Sequence, residues 1–565
     1  MENLALDIIF RWDSDEFRRK MIFSGDQQEA ECYLQAVDEI QLSNDESAIP
    51  IAMARLEDEF RNILISHTNP TSYLHHLNTK EEIKEEEPQQ GCACFGHLRF
   101  NASPSARRHV DDHDMLLLPS RFREIPYDAT NDLRCIAERM ISSGYLDHCI
   151  HVYASVRKSG IFAYYKWLGI NDVQLPLAAK IHLWIEASKV CVRTMFAGEK
   201  RFCEEIFDGV GDDIDHACFM ETVKEPAIQF LNFADAICIT ARSLPDEMFK
   251  ILELYEAFAA MIPDFDDVFD FKSCECLRVK AVEVLSRLAE GVNGTLSKFE
   301  KAVAGDTSKV VVPGGAIHPL TLYVMNYLKL ICVYEETLNE LIVLKPSMDL
   351  ADITEEEGKT PLAIHLIWII EKLQIKLNGE SKQYKDSSLS HLFMMNNLHF
   401  ILNVVKSCSE LMHMIGDDYL KKLTMKFQRA TTSYQGETWG RVLDCLKDEG
   451  LDGTAKHGFL YVIFNSPMKQ KMKAFNAMFE KVHRTQAARL IPDSQLREEI
   501  RKSILEKLLP AYNAFLRRNL SSVQNGTHVV NYLKYSKLDL QVAVLDFFEG
   551  IHVSQHLRKR SQSHA

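Results

Sequence analysis

A cluster of carboxylates near the middle of the chain could bind a metal ion. Asp266, Asp267 and Asp270 form the pattern DDVFD, and at this spacing the side chains lie on one side of a helix. In a large helical protein the pattern is typical of class I terpenoid synthases, in which the carboxylates hold Mg²⁺ and the metal holds a substrate diphosphate. Such enzymes need a second metal-binding segment, and none follows Asp270. Since Pro263 lies shortly before, we expect a loop that opens a helix, where acidic side chains are favoured without any metal.

Other candidate ligands for a metal ion or a phosphate are few. His109 and His113, and likewise His552 and His556, are four residues apart, but no further soft ligand lies beside either pair. Two CxC pairs lack the CxxC spacing of zinc sites. Residues 313–315 lack the Lys-Ser/Thr pair that would contact a phosphate. The sequence therefore predicts no catalytic residue, no metal and no cofactor, so we expect a protein that is not an enzyme, with the terpenoid synthase as the alternative.

The elements that must position any site are helices. Glycine and proline are sparse, at 24 and 17 of 565 residues, and apolar residues recur at helical spacing along most of the chain. No segment shows convincing alternation of apolar and polar residues bounded by turns, which would indicate a strand. We predict an all-α fold in which consecutive helical bundles are stacked into an elongated rod.

Two helices near the C-terminus are predicted by clear apolar spacing. In residues 468–482 the apolar positions advance in steps of four and three, and residues 538–548 repeat this kind of spacing. Each set therefore lies on one face of a helix. The first set is Met468, Met472, Phe475, Phe479 and Val482, and the second is Leu538, Val542, Leu545 and Phe548.

Breaks in the helical pattern divide the chain into blocks. Residues 78–127 combine an acidic run with several prolines and glycines, a composition typical of a flexible linker. Glycine and proline also interrupt residues 305–315 and 346–361. The predicted blocks are N-terminal helices at 1–77, the acidic linker at 78–127, a helical bundle at 128–304, a middle bundle at 305–420 and a basic C-terminal domain at 421–565.

The net charge of the chain reverses near its end. The whole chain carries −15, whereas residues 1–420 carry −26 and residues 421–565 carry +11. A basic end on an acidic protein favours contact with an anionic membrane or with nucleic acid. No nucleic-acid recognition motif accompanies these cations, and no exposed aromatic residues are interleaved with them. We therefore predict membrane phosphoinositide as the anionic partner and expect no nucleic acid.

Apolar runs and cysteines indicate the compartment. No apolar run reaches the roughly 18 residues needed to cross a bilayer, and the first apolar run is interrupted by Asp7, so it is a poor signal peptide. The 14 cysteines are scattered and lie mostly in apolar helical patterns, as buried thiols do in a reducing compartment. We expect a cytosolic protein that associates peripherally with the plasma membrane.

Several stretches of the sequence resemble the plant form of the seventy-kilodalton subunit of the exocyst complex. They follow the family's order from about residue 12 to the end of the chain. They are AMARLEDEF at 52–60, DLRCIAERMI at 132–141, VYASVRK at 152–158, IHPLTLYVMNYL at 317–328, separate matches at 475–476, 484–486, 491–493 and 506–512, KYS at 534–536 and FFEG at 547–550.

This resemblance implies a rod of stacked helical bundles in the octameric complex that tethers secretory vesicles to the plasma membrane. Family members have no catalytic activity and bind phosphatidylinositol bisphosphate through the basic C-terminal domain. They contact other exocyst subunits and, in some lineages, Rho-type GTPases. They usually begin with a further stretch that includes a coiled coil, so we expect a shortened N-terminal part here. Of two lysines in the family's lipid-binding pattern, Lys534 matches the second, whereas Asn531 stands at the first.

The side chains predicted to face lipid are cations of the basic C-terminal domain. Each cation near an anionic membrane contributes about 1 kcal/mol, so several together give reversible binding. The lysines of residues 468–482 mostly avoid the apolar face of their helix. The predicted set is Lys469, Lys471, Lys473, Arg517, Arg518, Lys534, Lys537, Arg558, Lys559 and Arg560.

Overall fold

A computed structural model of the chain divides into two compact units. Unit 1 is Met1–Lys298 and unit 2 is Phe299–Ala565. The five-block division stays a prediction, and its linker lies almost wholly outside the described residues. The structure describes residues 2–43, 45–68, 126–170, 175–207, 209, 211, 213–242, 247–305, 311–342, 359–447, 467–520 and 533–550.

Unit 1 consists of helices. Within the described residues they are α1 (Glu2–Asp13), α2 (Gln27–Ser43), α3 (Ile49–Thr68), α4 (Tyr127–Ser142), α5 (Leu146–Leu168), α6 (Leu177–Val190), α7 (Ala197–Phe207), α8 (Ile214–Ala241), α9 (Met248–Val268) and α10 (Glu275–Gly305), whose last residues belong to unit 2. A π-helical turn, Cys191–Phe196, joins α6 and α7.

Aromatic stacking joins three of these helices in the core of unit 1. The indole of Trp184, on α6, is fully buried. Its ring centroid lies 5.1 Å from that of Phe230 on α8 and 5.2 Å from that of Phe258 on α9. Both pairs are stacked, and rings of this size bury more apolar area than any other side chains. The apolar residues that recur at helical spacing in these three helices therefore meet in a close-packed core.

A buried ion pair joins α5 to α7 and α3. The guanidinium of Arg157 binds both carboxylate oxygens of Glu199, at 2.7 and 2.6 Å, and donates to Oγ1 of Thr68 at 3.0 Å. The hydroxyl of Tyr153 donates to Glu199 at 3.0 Å. Burial alone would lower the pKa of Arg157, but the Glu199 carboxylate raises it above its ordinary value. Arg157 and Tyr153 both belong to the VYASVRK stretch, so that stretch is part of the core.

A second buried pair fixes the first helices of unit 1. Arg55 and Glu59, one turn apart on α3, lie 2.7 Å apart and are almost inaccessible to solvent. The carboxylate of Glu59 accepts the backbone N–H of Ile22 at 2.9 Å, and Arg55 donates to the carbonyl of Arg18 at 3.1 Å. Both side chains belong to the AMARLEDEF stretch. Their role is to bind the backbone that connects α1 to α2.

Unit 2 also consists of helices within the described residues. They are α11 (Pro319–Ile331), α12 (Glu335–Leu341), α13 (Pro361–Ser381), α14 (Ser387–Ser407), α15 (Ser409–Asp444), α16 (Pro467–Ala487), α17 (Ser494–Leu520) and α18 (Lys537–Leu545). Helix α15 is kinked at Gly416, whose φ of 80° lies in the left-handed region that favours glycine.

The apolar face predicted for residues 468–482 is confirmed where it is described. Met472, Phe475, Phe479 and Val482 on α16 are buried in one cluster with residues of α14, α15, α17 and α18. The side chain of Met468 lies outside the described residues. The four-and-three spacing identifies the buried face of α16 correctly because the opposite face of the helix is polar.

The set predicted for residues 538–548 shares one helix face only as far as Leu545, and that face is not the buried one. Leu538, Val542 and Leu545 are 66%, 52% and 56% exposed. The buried face of α18 is instead formed by Leu540, Ala543 and Val544, and Phe548 lies beyond the end of the helix. Because α18 is apolar on both sides, spacing alone did not determine which side meets the core.

The predicted all-α fold of consecutive helical bundles is confirmed. Among the described residues the only strand-like pairing is one antiparallel bridge between Leu490 and Glu549. No helix in those parts of the chain combines the length and the apolar character that crossing a membrane requires.

We expect loss of the buried cation in unit 1 to destabilise α5 and α7 strongly. An Arg157→Met substitution leaves the Glu199 carboxylate buried without its partner, which costs about 3–5 kcal/mol. Native-state hydrogen exchange of peptides from α5 measures this locally. The matched control is Arg201→Met, since Arg201 lies 3.8 Å from Glu205 in an exposed pair and its loss changes stability by less than about 1 kcal/mol. Equal effects of the two substitutions would contradict the assigned role of Arg157.

Candidate functional site

The DDVFD carboxylates lie at the end of a helix, so the predicted loop that opens a helix is wrong. Pro263 lies inside α9, and α9 ends at Val268. Acidic groups at a helix C-terminus are disfavoured by the helix dipole, and cations from neighbouring elements compensate here. Nζ of Lys200 lies 2.8 Å from the carboxylate of Asp270, and Arg193 lies 2.6 Å from that of Asp264.

The described residues offer no metal centre around these carboxylates. Asp266 and Asp267 are exposed, and no group of three or more His, Cys, Asp or Glu side chains in those parts of the chain is placed to hold a metal ion. The candidate ligands His109, His113, His552 and His556 lie outside the described residues. Among the described residues, the DDVFD pattern therefore lacks the second ligand set that diphosphate chemistry needs.

The predicted lipid-facing cations differ in their surroundings. Lys473, Arg517 and Arg518 are exposed, and Lys471 is half-buried with its ammonium 2.7 Å from the carbonyl of Lys447. Lys534 and Lys537 are exposed at the start of α18. The side chain of Lys469 and all of Arg558, Lys559 and Arg560 lie outside the described residues.

Lys534 forms an exposed ion pair. Its ammonium lies 2.5 Å from a carboxylate oxygen of Glu480 on α16, and the two side chains are 56% and 36% exposed. The ring of Tyr535 lies beneath the same ammonium at 5.7 Å. An exposed pair of this kind contributes little to stability, but it reduces the positive charge that Lys534 presents to solvent.

The other residues of the KYS stretch are structural. The hydroxyl of Tyr512, on α17, donates to the carbonyl of Tyr535 at 2.6 Å. Ser536 caps α18 in a capping box with Asp539, each side chain binding the other residue's backbone N–H. Burial raises the pKa of Tyr512 to about 12 and raises that of Tyr535 as well. Both phenols thus stay protonated at physiological pH and α18 begins at a fixed point.

The FFEG stretch binds the rest of unit 2 through a buried arginine. Arg501 on α17 is 6% exposed and donates to the carbonyls of Leu545 and Phe547 at 2.7 and 2.5 Å. It also lies 2.7 Å from the carboxylate of Glu549. Arg497 lies 3.3 Å from the other oxygen of that carboxylate. The end of α18 is therefore held in place from its buried side.

The turn formed by FFEG carries backbone strain. Phe548 has a φ of 69°, in the left-handed region that a residue with a side chain rarely adopts. Its N–H donates to the carbonyl of Gln486 at 3.0 Å, and its ring is fully buried. Strain of about 1–2 kcal/mol at this position is offset by the burial of an aromatic ring.

A buried histidine lies beneath the last turn of α18. His483 on α16 is 2% exposed, and its Nε2 lies 3.4 Å from the carboxylate of Asp546. The rings of Phe479 and Phe547 pack against it. Burial lowers the pKa of His483, and Asp546 only partly opposes this effect. The imidazole is therefore neutral at pH 7.

Sequence reasoning missed the residues that position this site. Glu480 pairs with a lysine 54 residues away, and Arg501 binds carbonyls 44 and 46 residues away. No local spacing connects such residues. Two features of the sequence could have indicated the contact: Arg501 lies among apolar residues of α17, and Glu549 of FFEG is an acid that could pair with it.

Two family models match the chain, in order. The N-terminal model of the exocyst complex component Exo70 matches residues 3–66. The C-terminal model of the Exo70 exocyst complex subunit matches residues 182–546, which is more than half of the chain.

Curated proteins of Arabidopsis thaliana are similar over most of the chain. Exocyst complex component EXO70B1 is 31% identical over 517 residues, covering 88% of this chain and 78% of that protein. Exocyst complex component EXO70C2 is 32% identical over 576 residues, covering 96% and 79%.

A solved structure has the same fold. The crystal structure of the Saccharomyces cerevisiae exocyst component Exo70p superposes with a TM-score of 0.57 at 13% identity, covering 96% of this chain and 98% of that one. The likeness confirms the predicted fold class.

We expect removal of the Arg501 guanidinium to release the C-terminal turn. An Arg501→Met substitution leaves the carbonyls of Leu545 and Phe547 without their donor and destabilises unit 2 by about 2–3 kcal/mol. Hydrogen exchange of peptides covering residues 537–550 reports the release. Lys502→Met, on the exposed neighbouring residue of α17, is the control and leaves exchange unchanged. Unchanged protection in both variants would show that Arg501 does not hold the turn.

Proposed function

Because the chain belongs to the Exo70 family of exocyst complex subunits, we propose that it is an exocyst subunit that tethers secretory vesicles to the plasma membrane. The observation that carries this proposal is the match of both family models in order along one chain. Its protein partners are then the other exocyst subunits and Rho-type GTPases. The protein acts without chemistry of its own, in the cytosol and peripherally at the plasma membrane.

The terpenoid synthase alternative receives no support. Asp270 is paired with Lys200, and the DDVFD carboxylates have no second ligand set among the described residues. The chain belongs to a family with a different function.

We further propose that the basic C-terminal domain binds anionic phosphoinositide. The net charge of +11 in residues 421–565 supports this proposal, as does the exposure of Lys473, Arg517, Arg518 and Lys537. Lys537 is exposed and makes no ion pair with a described residue. Lys534 is a weaker contributor because Glu480 lies against it.

We expect charge reversal in the C-terminal domain to weaken binding to phosphoinositide vesicles. The test compares the full chain with the variant Arg517→Glu, Arg518→Glu, Lys537→Glu by vesicle co-sedimentation. Each reversed cation weakens binding about fivefold or more, since a cation near an anionic membrane contributes about 1 kcal/mol.

A control variant with the same change in net charge is Lys224→Glu, Lys301→Glu, Lys382→Glu, all at exposed positions outside the C-terminal domain. We expect this control variant to bind the vesicles as the wild-type chain does, because the proposed lipid site lies in the C-terminal domain. Co-purification of the other exocyst subunits with the wild-type chain and with both variants tests the tethering proposal separately. A wild-type chain that recovers none of them would overturn membership of the complex.

We expect removal of the acid beside Lys534 to strengthen vesicle binding. A Glu480→Gln substitution keeps an acceptor for Tyr535 but leaves the Lys534 charge unopposed, which raises affinity about fivefold. Asp418→Asn is the control, because Asp418 forms an exposed pair with Lys421 far along the chain from α18. An unchanged affinity of the Glu480→Gln protein, together with weaker binding of a Lys537→Glu protein, would place Lys534 away from the membrane.

A further inference from the structure

The outer face of α18 exposes three large aliphatic side chains in a row. Leu538, Val542 and Leu545 are spaced by four and three residues, so they lie on one side of the helix. Each is more than half exposed. Isolated exposed aliphatic residues are ordinary, but a continuous apolar stripe on a short helix indicates a surface that meets an apolar phase or a partner. We call these three residues the α18 stripe.

The orientation of the α18 stripe is fixed from the opposite side of the helix. Leu540, Ala543 and Val544 are buried in the core of unit 2. The capping box of Ser536 fixes the start of α18, and Arg501 binds the carbonyl of Leu545 at its end. The stripe therefore cannot turn inward without breaking contacts at both ends of the helix.

Three acidic groups near α18 have defined contacts. Asp539 caps the helix and accepts the N–H of Ser536 at 2.9 Å. Glu480 pairs with Lys534, and the carboxylate of Asp546 faces the buried His483.

Glu549 lies between Arg497 and Arg501, and Glu498 lies 2.6 Å from Arg501. Lys537, at the first position of α18, makes no ion pair with a described residue. The domain that carries the α18 stripe has a net charge of +11 over residues 421–565, which complements an anionic surface.

We propose that the α18 stripe inserts into the interfacial layer of an anionic membrane. The proposal rests on the proposed lipid-binding function and extends it, because it adds an apolar contact to the electrostatic one. A helix of this length extends about 13 Å and lies in the plane of the membrane with its apolar side about 5–10 Å deep. Lys537 and Lys534 then lie at the depth of the lipid phosphates.

The first test places a tryptophan in the α18 stripe. A Val542→Trp variant of the full chain is mixed with phosphoinositide vesicles whose acyl chains carry bromine, a short-range quencher. We expect the additional fluorescence, measured as the difference from the wild-type chain, to shift to shorter wavelength and to be quenched. In a control variant, Val333→Trp replaces an exposed residue of unit 2 outside the C-terminal domain, and its fluorescence stays unquenched.

The second test removes the aliphatic side chains. We expect the variant Leu538→Gln, Val542→Gln, Leu545→Gln to lose about tenfold or more in vesicle affinity, since three aliphatic side chains no longer leave water. The matched control is Ile239→Gln, Val333→Gln, Ile375→Gln, at equally exposed positions elsewhere. Circular dichroism and thermal unfolding establish that both variants are folded. If the triple α18 variant is not folded, Val542→Gln alone is compared with Val333→Gln.

The outcomes separate this proposal from the proposed function. A wild-type chain that binds no phosphoinositide vesicle overturns both. Wild-type binding that is weakened by charge reversal, with unquenched fluorescence of the Val542→Trp variant and an unchanged affinity of the glutamine variant, overturns insertion alone. Loss of exocyst subunits from the glutamine variant at full vesicle affinity would assign the α18 stripe to a protein partner, which also overturns insertion.

Discussion

Hydrogen bonds to the backbone of residues 486–491, from the last turn of α16 into the connection to α17, hold unit 2 together. The N–H of Leu490 donates to the carbonyl of Gly314, and the carbonyl of Leu490 accepts from the side chain of Asn396. The carbonyls of Gln486 and Arg489 accept from Phe548 and Gly550. Buried backbone groups must be satisfied, so this segment requires the 313–315 turn, α14 and the FFEG turn to be in place together.

Several stretches that carry the family resemblance contain buried polar anchors. Arg55 and Glu59 bind the connection between α1 and α2, and Arg157 with Glu199 joins three helices. A buried charge is tolerated only with its partner in place, which makes such residues distinctive in a sequence that is otherwise helical and apolar. The resemblance therefore identifies the fold readily, whereas it says much less about a surface whose cations are free of packing constraints.

Most helices could be predicted from spacing, but the direction of a face depends on tertiary contacts. In α16 only one face is apolar, so the sequence determines which face meets the core, and Phe475 and Phe479 are buried as predicted. In α18 both sides are apolar, and the choice is made by Arg501 and by the cap at Ser536. Pro263 predicts a loop that opens the next helix, whereas it lies inside α9. The pairing of Lys534 with Glu480 spans 54 residues and has no local signal.

The same contacts explain why the C-terminal domain presents a defined surface at α18. Tyr512 and Tyr535 fix where α18 begins, and Arg501 with Glu549 fixes where it ends. These groups are buried or paired, so they neither attract nor repel an anionic membrane themselves. They determine which side chains of α18 point outward, while the surrounding cations supply a field that depends on their number more than on their individual positions. Under the proposed lipid binding, an Asn in place of one lysine of the family's pattern changes affinity by a small factor without changing the orientation of this surface.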